Sequence, residues 1–469
     1  MSDRFDLPGR ASIGFDPAWL SVPVGLLAAG GILAAAPLPG DAARMLAITA
    51  FCVVLWIATP VPPWLTGIFG LGLIGVSFST ELALFGFRSP ATWLILLGIL
   101  LGEATRRSGL ALLIERRVLG RMPASANDDA RVAYRYLLIA FSAIGAGFVL
   151  LVPSALVRVL ILGPIMVSVG ERFTDNRARI GLFVGPLFVT FYGAAGVLTG
   201  TLSNIIITGI VESAGGPAIG WLEWLVWMGP VMTVGRSIAI VAVTYVLYRP
   251  TGPDGLVEDA AVPERAADGD ERRMLAFLLV GVAIWATDAV HGLHPLYGAL
   301  VVTVLVFLPK VGVVDMDAVG DADFSIVFFL GAIFAIAEGL QRTAFTDIAA
   351  GSVLSAVPAD APLPVLLGAV SLVSVALTFV MEGLAVSSVL TPVLVSFARD
   401  AGIPLIPVAM VEAVSLVSYF FPYQSAVLVG MIGLDVVDAR EVIRTAIVCS
   451  LVTLFVLLPI QIAVFVFLW

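Results

Sequence analysis

Charged residues are scarce in this chain of 469 residues. Only 13% of the residues are charged, whereas 60% are hydrophobic and the mean hydropathy is +1.06. Soluble domains contain about a quarter charged residues, and no hydrophilic block here is long enough to fold separately. The composition therefore excludes an ordinary soluble protein and predicts one polytopic membrane domain.

Cysteine and histidine are almost absent, with two residues of each. Cys52 and Cys449 lie in apolar runs, where a thiol behaves as a small hydrophobic group, so neither a disulfide framework nor a metal site is expected. His291 and His294 share one short loop without a third ligand, which argues against a zinc or haem enzyme. An intramembrane protease would need a histidine beside its serine. We therefore expect a protein that is not an enzyme and has no cofactor.

The two hydrophilic segments are the N-terminus and one central loop. The N-terminus lacks the basic, apolar and small-residue succession of a cleaved signal peptide, so we expect the first apolar run to remain as a membrane anchor. Much of the acidic excess lies between Val257 and Glu271. Such a charge run is typical of a solvated linker.

Apolar runs recur from one end of the chain to the other. A spanning helix needs about 20 mostly apolar residues. On this basis we predict eleven spans, near 18 to 36, 44 to 60, 63 to 80, 91 to 106, 180 to 213, 229 to 248, 274 to 290, 296 to 309, 324 to 340, 404 to 433 and 444 to 468. Two further apolar stretches, 136 to 169 and 364 to 397, contain Pro, Gly and Ser at their middles. We interpret each as a re-entrant hairpin.

The distribution of basic residues predicts the orientation. With these spans, most of the 25 basic residues fall on one side, which is the cytoplasm by the positive-inside rule. We therefore expect a multi-pass protein of the cell (inner) membrane with a cytoplasmic N-terminus and Trp469 outside. Arg158 and Arg236 lie at membrane depth, and we expect Arg236 and Asp288 to reach the interface by snorkelling.

A sequence motif that occurs twice, which we call the internal echo, divides the chain into two repeats. The segment LGEATRRSGLA at 101 to 111 matches IAEGLQRTAFT at 336 to 346, aligning Glu103 with Glu338. A hairpin and a broken span follow each copy, and the assigned topology makes the repeats inverted. The predicted divisions are a cytoplasmic segment at 1–17, a first repeat with its leading helix at 18–247, a linker at 248–273 and a second repeat at 274–469.

Breaks within the membrane predict the binding site. Interrupted helices leave backbone groups unsatisfied, and hydrocarbon penalises this unless the break lines a protected or hydrated site. Half-helix N-termini suit an anion, and free carbonyl groups suit a cation. The predicted site combines the hairpin tips, Pro153 to Leu156 and Glu382 to Leu384, with the breaks, Thr199 to Asn204 and Phe421 to Ser425.

At these four places the chain resembles the divalent anion/sodium symporter family, all-α membrane transporters of dicarboxylates, citrate or sulfate. The resemblance covers nearly the whole chain. It implies tips of Ser-Asn-Thr type and turns that hold sodium and contact the anion, as well as a homodimer in the bilayer. Carried over by position, the implied substrate-binding residues are Ser154, Ala155, Thr201, Ser203, Asn204, Glu382, Gly383, Pro422, Tyr423, Gln424 and Ser425, to which we add Arg158 for its charge beside Ser154. The implied sodium positions lie near Gly200, Thr201, Asn204 and Gln424.

Both tip asparagines of the family pattern are replaced in this sequence, by Ala155 and Gly383. Arg158 lies one helical turn beyond Ser154 on the same face. We interpret its charge as the substitute for sodium at the anion; the alternative is an ion pair with Glu382. Glu382 is a candidate proton carrier, cation ligand or partner of Arg158.

Two carboxylates outside the breaks are better candidates for a structural role than for the binding site. Glu103 and Glu338 each precede an arginine by four residues, which predicts helical ion pairs with Arg107 and Arg342.

The function predicted from all these features is alternating-access transport of small divalent anions, by sodium-independent exchange or with proton coupling. Sodium-coupled symport and, less favoured, an anion channel are the alternatives.

Overall fold

The computed structural model describes residues 17–58, 60–252, 269–322, 324–356, 361–379, 382–432, 434 and 436–469. Throughout these ranges the regular structure consists of helices, without strands. This confirms the predicted all-α polytopic membrane fold, in which each helix satisfies its own backbone hydrogen bonds. Most of the predicted N-terminal segment and of the 248–273 linker lies outside the described residues.

The helices of the first half begin near the N-terminus and end before the acidic loop. They are α1 (Ser21–Ala35), α2 (Gly40–Ala58), α3 (Pro63–Ser77), α4 (Thr80–Ala83), α5 (Pro90–Arg107), α6 (Leu110–Leu119), α7 (Ser125–Asp128), α8 (Ala130–Leu151), α9 (Ala155–Gly170), α10 (Asn176–Tyr192), α11 (Leu202–Ser213), α12 (Trp221–Met228) and α13 (Arg236–Tyr248).

The helices of the second half begin after that loop. They are α14 (Asp270–Ala286), α15 (Asp288–His291), α16 (Leu296–Phe307), α17 (Asp317–Asp321), α18 (Ile326–Arg342), α19 (Phe345–Ala356), α20 (Leu363–Thr378), α21 (Gly383–Ala401), α22 (Leu405–Leu416), α23 (Ala426–Ile432), α24 (Ala439–Val452) and α25 (Leu458–Leu468).

The order of elements in the first half recurs in the second. In each half a helix ending in a Glu–Arg pair is followed, after one or two shorter helices, by a two-helix hairpin, a broken span and a long final helix. The final helices even share an irregularity, since π-helical segments at Gly229–Gly235 and Thr453–Leu457 join α12 to α13 and α24 to α25. This common order agrees with two repeats; their opposite orientation in the membrane stays a prediction.

By length and composition, seven described helices are able to cross a membrane. They are Ala18–Ala35, Gly40–Ala58, Ala130–Leu151, Asn176–Gly196, Trp221–Tyr248, Gly383–Ala401 and Ala439–Leu468. Other predicted spans correspond to shorter apolar helices, such as α3 and α16. Two of the seven, α8 and α21, are hairpin arms, so length alone does not separate a crossing helix from a re-entrant arm.

Local chemistry explains where the hairpin arms begin and bend. The side chain of Asp129 accepts hydrogen bonds from two N–H groups at the start of α8, and Ser154 caps α9, as short polar side chains do at helix starts. Pro164 and Pro392 lie at equivalent positions inside α9 and α21. Each proline lacks the N–H of a regular helical bond, which favours a bend there.

Candidate functional site

The hairpins and broken spans of the two halves pack across one another. The second arm of the first hairpin, α9, packs against α23 of the second broken span, and the second arm of the second hairpin, α21, packs against α11 of the first. Each hairpin therefore contacts the half-helix of the opposite repeat. The four predicted site segments belong to this one interlocked group of helices.

The first hairpin tip is a capped helix start. The Ser154 hydroxyl accepts a hydrogen bond from the Val157 N–H at 3.4 Å, and Ala155 begins α9. The first four N–H groups of a helix lack intrahelical acceptors, so the start of α9 keeps donors that can face an anion. This is the arrangement that helix N-termini use to bind anions.

The second tip is packed against the second break. A Cβ atom on Gly383 would lie 2.9 Å from the Leu416 carbonyl oxygen and 3.2 Å from the Tyr419 hydroxyl, so only glycine allows this close approach. Glu382 precedes α21 and its side chain forms no capping hydrogen bond. No ion pair between Glu382 and Arg158 is present among the described residues, so the alternative of a structural pair is not observed.

Arg158 is 0% exposed and its guanidinium is bound to backbone oxygens. Nη2 donates to the carbonyls of Thr190 at 2.9 Å and Gly200 at 2.7 Å, Nη1 donates to Val152 at 2.5 Å, and Nε donates to the Thr190 hydroxyl at 2.8 Å. One side chain thus joins the end of α8, the last turn of α10 and the first break. Direct contact of Arg158 with an anion stays a prediction.

In the second repeat, a glutamine makes the corresponding connection. Gln424 Nε2 donates to the Thr378 carbonyl at 2.8 Å, at the end of the first hairpin arm. Its Oε1 accepts from the N–H groups of Phe420 at 2.7 Å and Phe421 at 2.8 Å, in the break. The buried amide therefore links a hairpin arm to a broken span, as Arg158 does in the first repeat.

The first break also depends on a side-chain amide. Asn204 Nδ2 donates to the carbonyls of Val197 at 2.9 Å and Ala195 at 3.2 Å, whereas its buried Oδ1 has no partner among the described groups. A Cβ atom on Gly200 would lie 2.6 Å from the Ala194 carbonyl oxygen, so this turn needs glycine. The orphaned Oδ1 is an acceptor that a ligand can use.

The remaining candidates lie in the breaks or next to them. Thr201 precedes α11 without a side-chain capping bond, and Ser203 in its first turn is buried. Pro422 begins the short turn of the second break, and the buried Ser425 accepts a hydrogen bond from the Val427 N–H at 3.2 Å. The Tyr423 side chain lies outside the described part of the structure.

Arg236 joins the two breaks, which the sequence did not predict. It is 1% exposed and donates to the carbonyls of Tyr192 at 3.0 Å and Val417 at 3.1 Å. The prediction that it reaches the membrane interface was wrong, because the opened helix ends supply acceptors for its charge inside the protein. Asp288 is also buried and accepts hydrogen bonds from the first N–H groups of α12. Its depth relative to the membrane interface stays a prediction.

The predicted ion pairs of the internal echo are confirmed. Arg107 Nε lies 2.6 Å from Glu103 Oε1, and Arg342 Nε lies 2.6 Å from Glu338 Oε1. Both carboxylates are engaged one helical turn from their arginines, as the spacing predicts.

Sequence reasoning missed three buried residues around the breaks. Tyr192 and Tyr419 join the broken spans, and Glu412 lies inside α22. Glu412 had a detectable signal, because it is the one charged residue in the apolar run between Ile403 and Leu416. An ionisable residue in a membrane segment is a functional candidate by default.

Two hairpins and two broken spans interlocked in an all-α membrane fold define a secondary transporter. The chain belongs to the family described as "Sodium:sulfate symporter transmembrane region", which it matches over residues 21–469. The predicted resemblance is therefore confirmed, and the protein is a membrane transporter of the divalent anion family.

Individual relatives are distant. The L-tartrate/succinate antiporter of Escherichia coli K12 is 22% identical over 411 residues, which cover 82% of this chain and 80% of that protein. A "Membrane protein" of Cupriavidus necator is 27% identical over 302 residues, or 58% of this chain, and the chain spans only 56% of its length. The YdaH transporter of Alcanivorax borkumensis has the same fold, with a TM-score of 0.60 at 15% identity, covering 92% of this chain and 99% of that one.

Proposed function

We propose that this protein exchanges small dicarboxylates across the membrane without sodium. The observation that carries the proposal is the binding of Arg158 to the carbonyl oxygens of Val152, Thr190 and Gly200. Carbonyl oxygens of this kind are the ligands that hard cations use. In this chain the Arg158 guanidinium already occupies these oxygens. It cannot dissociate, because it is part of the protein.

The second repeat supports the same interpretation. Gln424 connects Thr378 to the N–H groups of the break, so an uncharged side chain holds the second hairpin arm to its broken span. The guanidinium of Arg158 and the amide of Gln424 are both parts of the chain. The protein therefore does not need to bind and release a cation at the breaks in each cycle. Exchange of one anion for another is the transport mode that such a site favours.

The charge of the site favours a dianion as substrate. The start of α9 offers N–H donors and the partial positive charge of a helix N-terminus, and Arg158 adds a full positive charge directly behind it. Relatives named as L-tartrate/succinate antiporters support a dicarboxylate over sulfate. Ser154, Thr201 and Asn204 are the polar groups that we assign to the anion in the first repeat.

The proposal includes a position in the cell. We propose the cell (inner) membrane, a cytoplasmic N-terminus, an extracytoplasmic C-terminus and a homodimer. The excess of basic residues on the predicted cytoplasmic side supports the orientation.

Uptake of labelled succinate into proteoliposomes tests the proposed function. We expect uptake when the vesicles contain succinate or tartrate, little uptake into empty vesicles, and no change when choline replaces sodium. Citrate and sulfate are the comparison substrates inside the vesicles. Uptake into empty vesicles that depends steeply on a sodium gradient would contradict exchange.

A sodium-coupled symporter is the second candidate, and one observation favours it. The buried Oδ1 of Asn204 has no partner among the described groups, and it lies in the first break, beside Thr201 and Gly200. An amide oxygen there suits a sodium ion. Saturable binding of sodium that disappears in Asn204→Ala would favour this candidate over exchange.

A further inference from the structure

A buried carboxyl lies behind the second hairpin tip. Glu412, within α22, is 0% exposed. Its Oε1 accepts a hydrogen bond of 2.8 Å from the Thr391 hydroxyl of α21, whereas its Oε2 has no partner among the described groups. The proposed exchange mechanism does not use this residue.

No described residue forms an ion pair with Glu412, and Arg236, which approaches the end of α22, is bound instead to the Val417 carbonyl, five residues beyond Glu412. α22 packs against α11, α20, α21 and α25; neither α20 nor α25 contains a titratable residue. α11 contains only Glu212, at its C-terminal end. In α21, Glu382 precedes the helix, and Arg399 and Asp400 lie in its last turn, each about 12–14 Å along the axis from Thr391 at 1.5 Å per residue.

A proton is the partner that this environment can accept. An ionised carboxyl buried without a counter-charge is far less favourable than a neutral one, so such a group takes up a proton. A hard metal ion needs several oxygen ligands around it, whereas a proton needs one oxygen with a free lone pair. Oε2 of Glu412 is such an oxygen, because Thr391 already occupies Oε1.

We propose that Glu412 is a proton-binding site whose occupancy controls anion binding at the second hairpin tip. The α21 helix connects Thr391 directly to the tip at Glu382 and Gly383. Loss of the proton places a negative charge behind the tip, where the low dielectric of the interior strengthens its repulsion of a dianion. A proton and a dianion therefore bind together. The anion part of this inference rests on the proposed function, whereas the proton part does not.

Infrared spectroscopy of the purified protein tests the proton site without transport. At neutral pH we expect a protonated carboxyl band in the wild type that is missing from Glu412→Gln. Thr391→Val should keep the band and shift it, because its hydrogen bond is lost. Glu382→Gln separates any contribution from that carboxyl, and Glu412→Met, which also lacks a carboxyl, replaces the glutamine variant if the latter does not fold. Identical carboxyl bands in the wild type and Glu412→Gln would overturn the proposal.

Succinate binding as a function of pH tests the coupling. From neutral to alkaline pH we expect the affinity of the wild type to fall about tenfold, within the usual range of coupling between sites. Glu412→Gln, which stays neutral, should lose this fall, and the control Glu338→Gln, in the helical pair with Arg342, should keep it. A full fall in Glu412→Gln would overturn the coupling. A carboxyl band from Glu412 in a protein that binds no dicarboxylate would support the proton site while contradicting the proposed function.

Discussion

Tyr192 and Tyr419 join the two broken spans directly. The Tyr192 hydroxyl donates to the Tyr419 carbonyl oxygen at 3.0 Å, and Ser450 donates to the same oxygen at 2.5 Å. The Phe191 ring stacks on the Tyr419 ring with centroids 5.5 Å apart. The breaks of both repeats are thereby held as one unit, with Arg236 bound to each of them.

We expect Tyr192→Phe to weaken this connection modestly. The Tyr419 carbonyl keeps its bond from Ser450, so the loss should be that of one ordinary hydrogen bond, about 0.5–1.5 kcal/mol. Thermal unfolding in detergent measures it. Tyr134→Phe is the matched control, because its hydroxyl lies 3.5 Å from the Thr244 carbonyl oxygen and should contribute less. A larger loss for Tyr134→Phe would contradict the assigned role of Tyr192.

Removal of Arg158 should produce a site that a free cation can fill. Arg158→Ala leaves the carbonyls of Val152, Thr190 and Gly200 without their donor, at about 1–3 kcal/mol for each buried unsatisfied group. We expect a lower Tm and loss of succinate binding, and partial recovery of both with millimolar guanidinium or sodium. Tetramethylammonium at equal ionic strength is the control compound. Recovery with all three cations alike would indicate a general salt effect.

Arg158→Gln and Glu382→Gln should act independently on stability. The described residues contain no ion pair between them, so the coupling energy of the double variant should be close to zero. Arg158→Lys should weaken anion binding, because an ammonium cannot copy the planar fork of hydrogen bonds. If the double variant regained the stability lost in Arg158→Gln, the two side chains would form a buried pair, typically worth about 3–5 kcal/mol when one partner is removed.

Gln424→Glu should weaken the second connection selectively. A carboxylate can still accept from Phe420 and Phe421, but it cannot donate to the Thr378 carbonyl, which Gln424 Nε2 contacts at 2.8 Å. We expect a lower Tm and loss of exchange. Gln461→Glu is the control, since this buried amide donates to the Trp227 carbonyl at 2.9 Å and so joins α25 to α12, not a hairpin arm to the second break. Equal loss of exchange in both variants would argue against a special role for Gln424.

Thiol labelling tests the inverted topology. Cys52 and Cys449 are buried, so they should not react with an impermeant maleimide. We expect Ala260→Cys and a cysteine added after Trp469 to react from opposite sides of the membrane. Labelling of both from one side would remove the basis for inverted repeats.

Much of the architecture could be predicted because it is encoded locally. The echo of Glu103 and Arg107 in Glu338 and Arg342 depends only on helical spacing, and the hairpin breaks follow from caps and prolines. Partners distant in sequence could not be predicted. Arg158 contacts Thr190 and Gly200, 32 and 42 residues away, and Arg236 contacts Val417, 181 residues away. A single arginine in an apolar run indicates that hydrogen-bond acceptors for its guanidinium exist in the fold. The sequence does not indicate which residues provide them.

In the proposed exchange mechanism, the Arg158 guanidinium cannot draw free energy from a sodium gradient, because it is part of the chain. A sodium ion that crosses with its substrate converts a concentration difference of sodium into accumulation of the substrate. Arg158, held by the carbonyls of Val152 and Gly200, returns with the protein in every cycle and delivers no net charge. In the exchange mechanism that we propose, accumulation of one anion is driven by the opposing gradient of another, or by protons through Glu412. Growth conditions that remove external sodium should leave the steady-state ratio of the two anions unchanged.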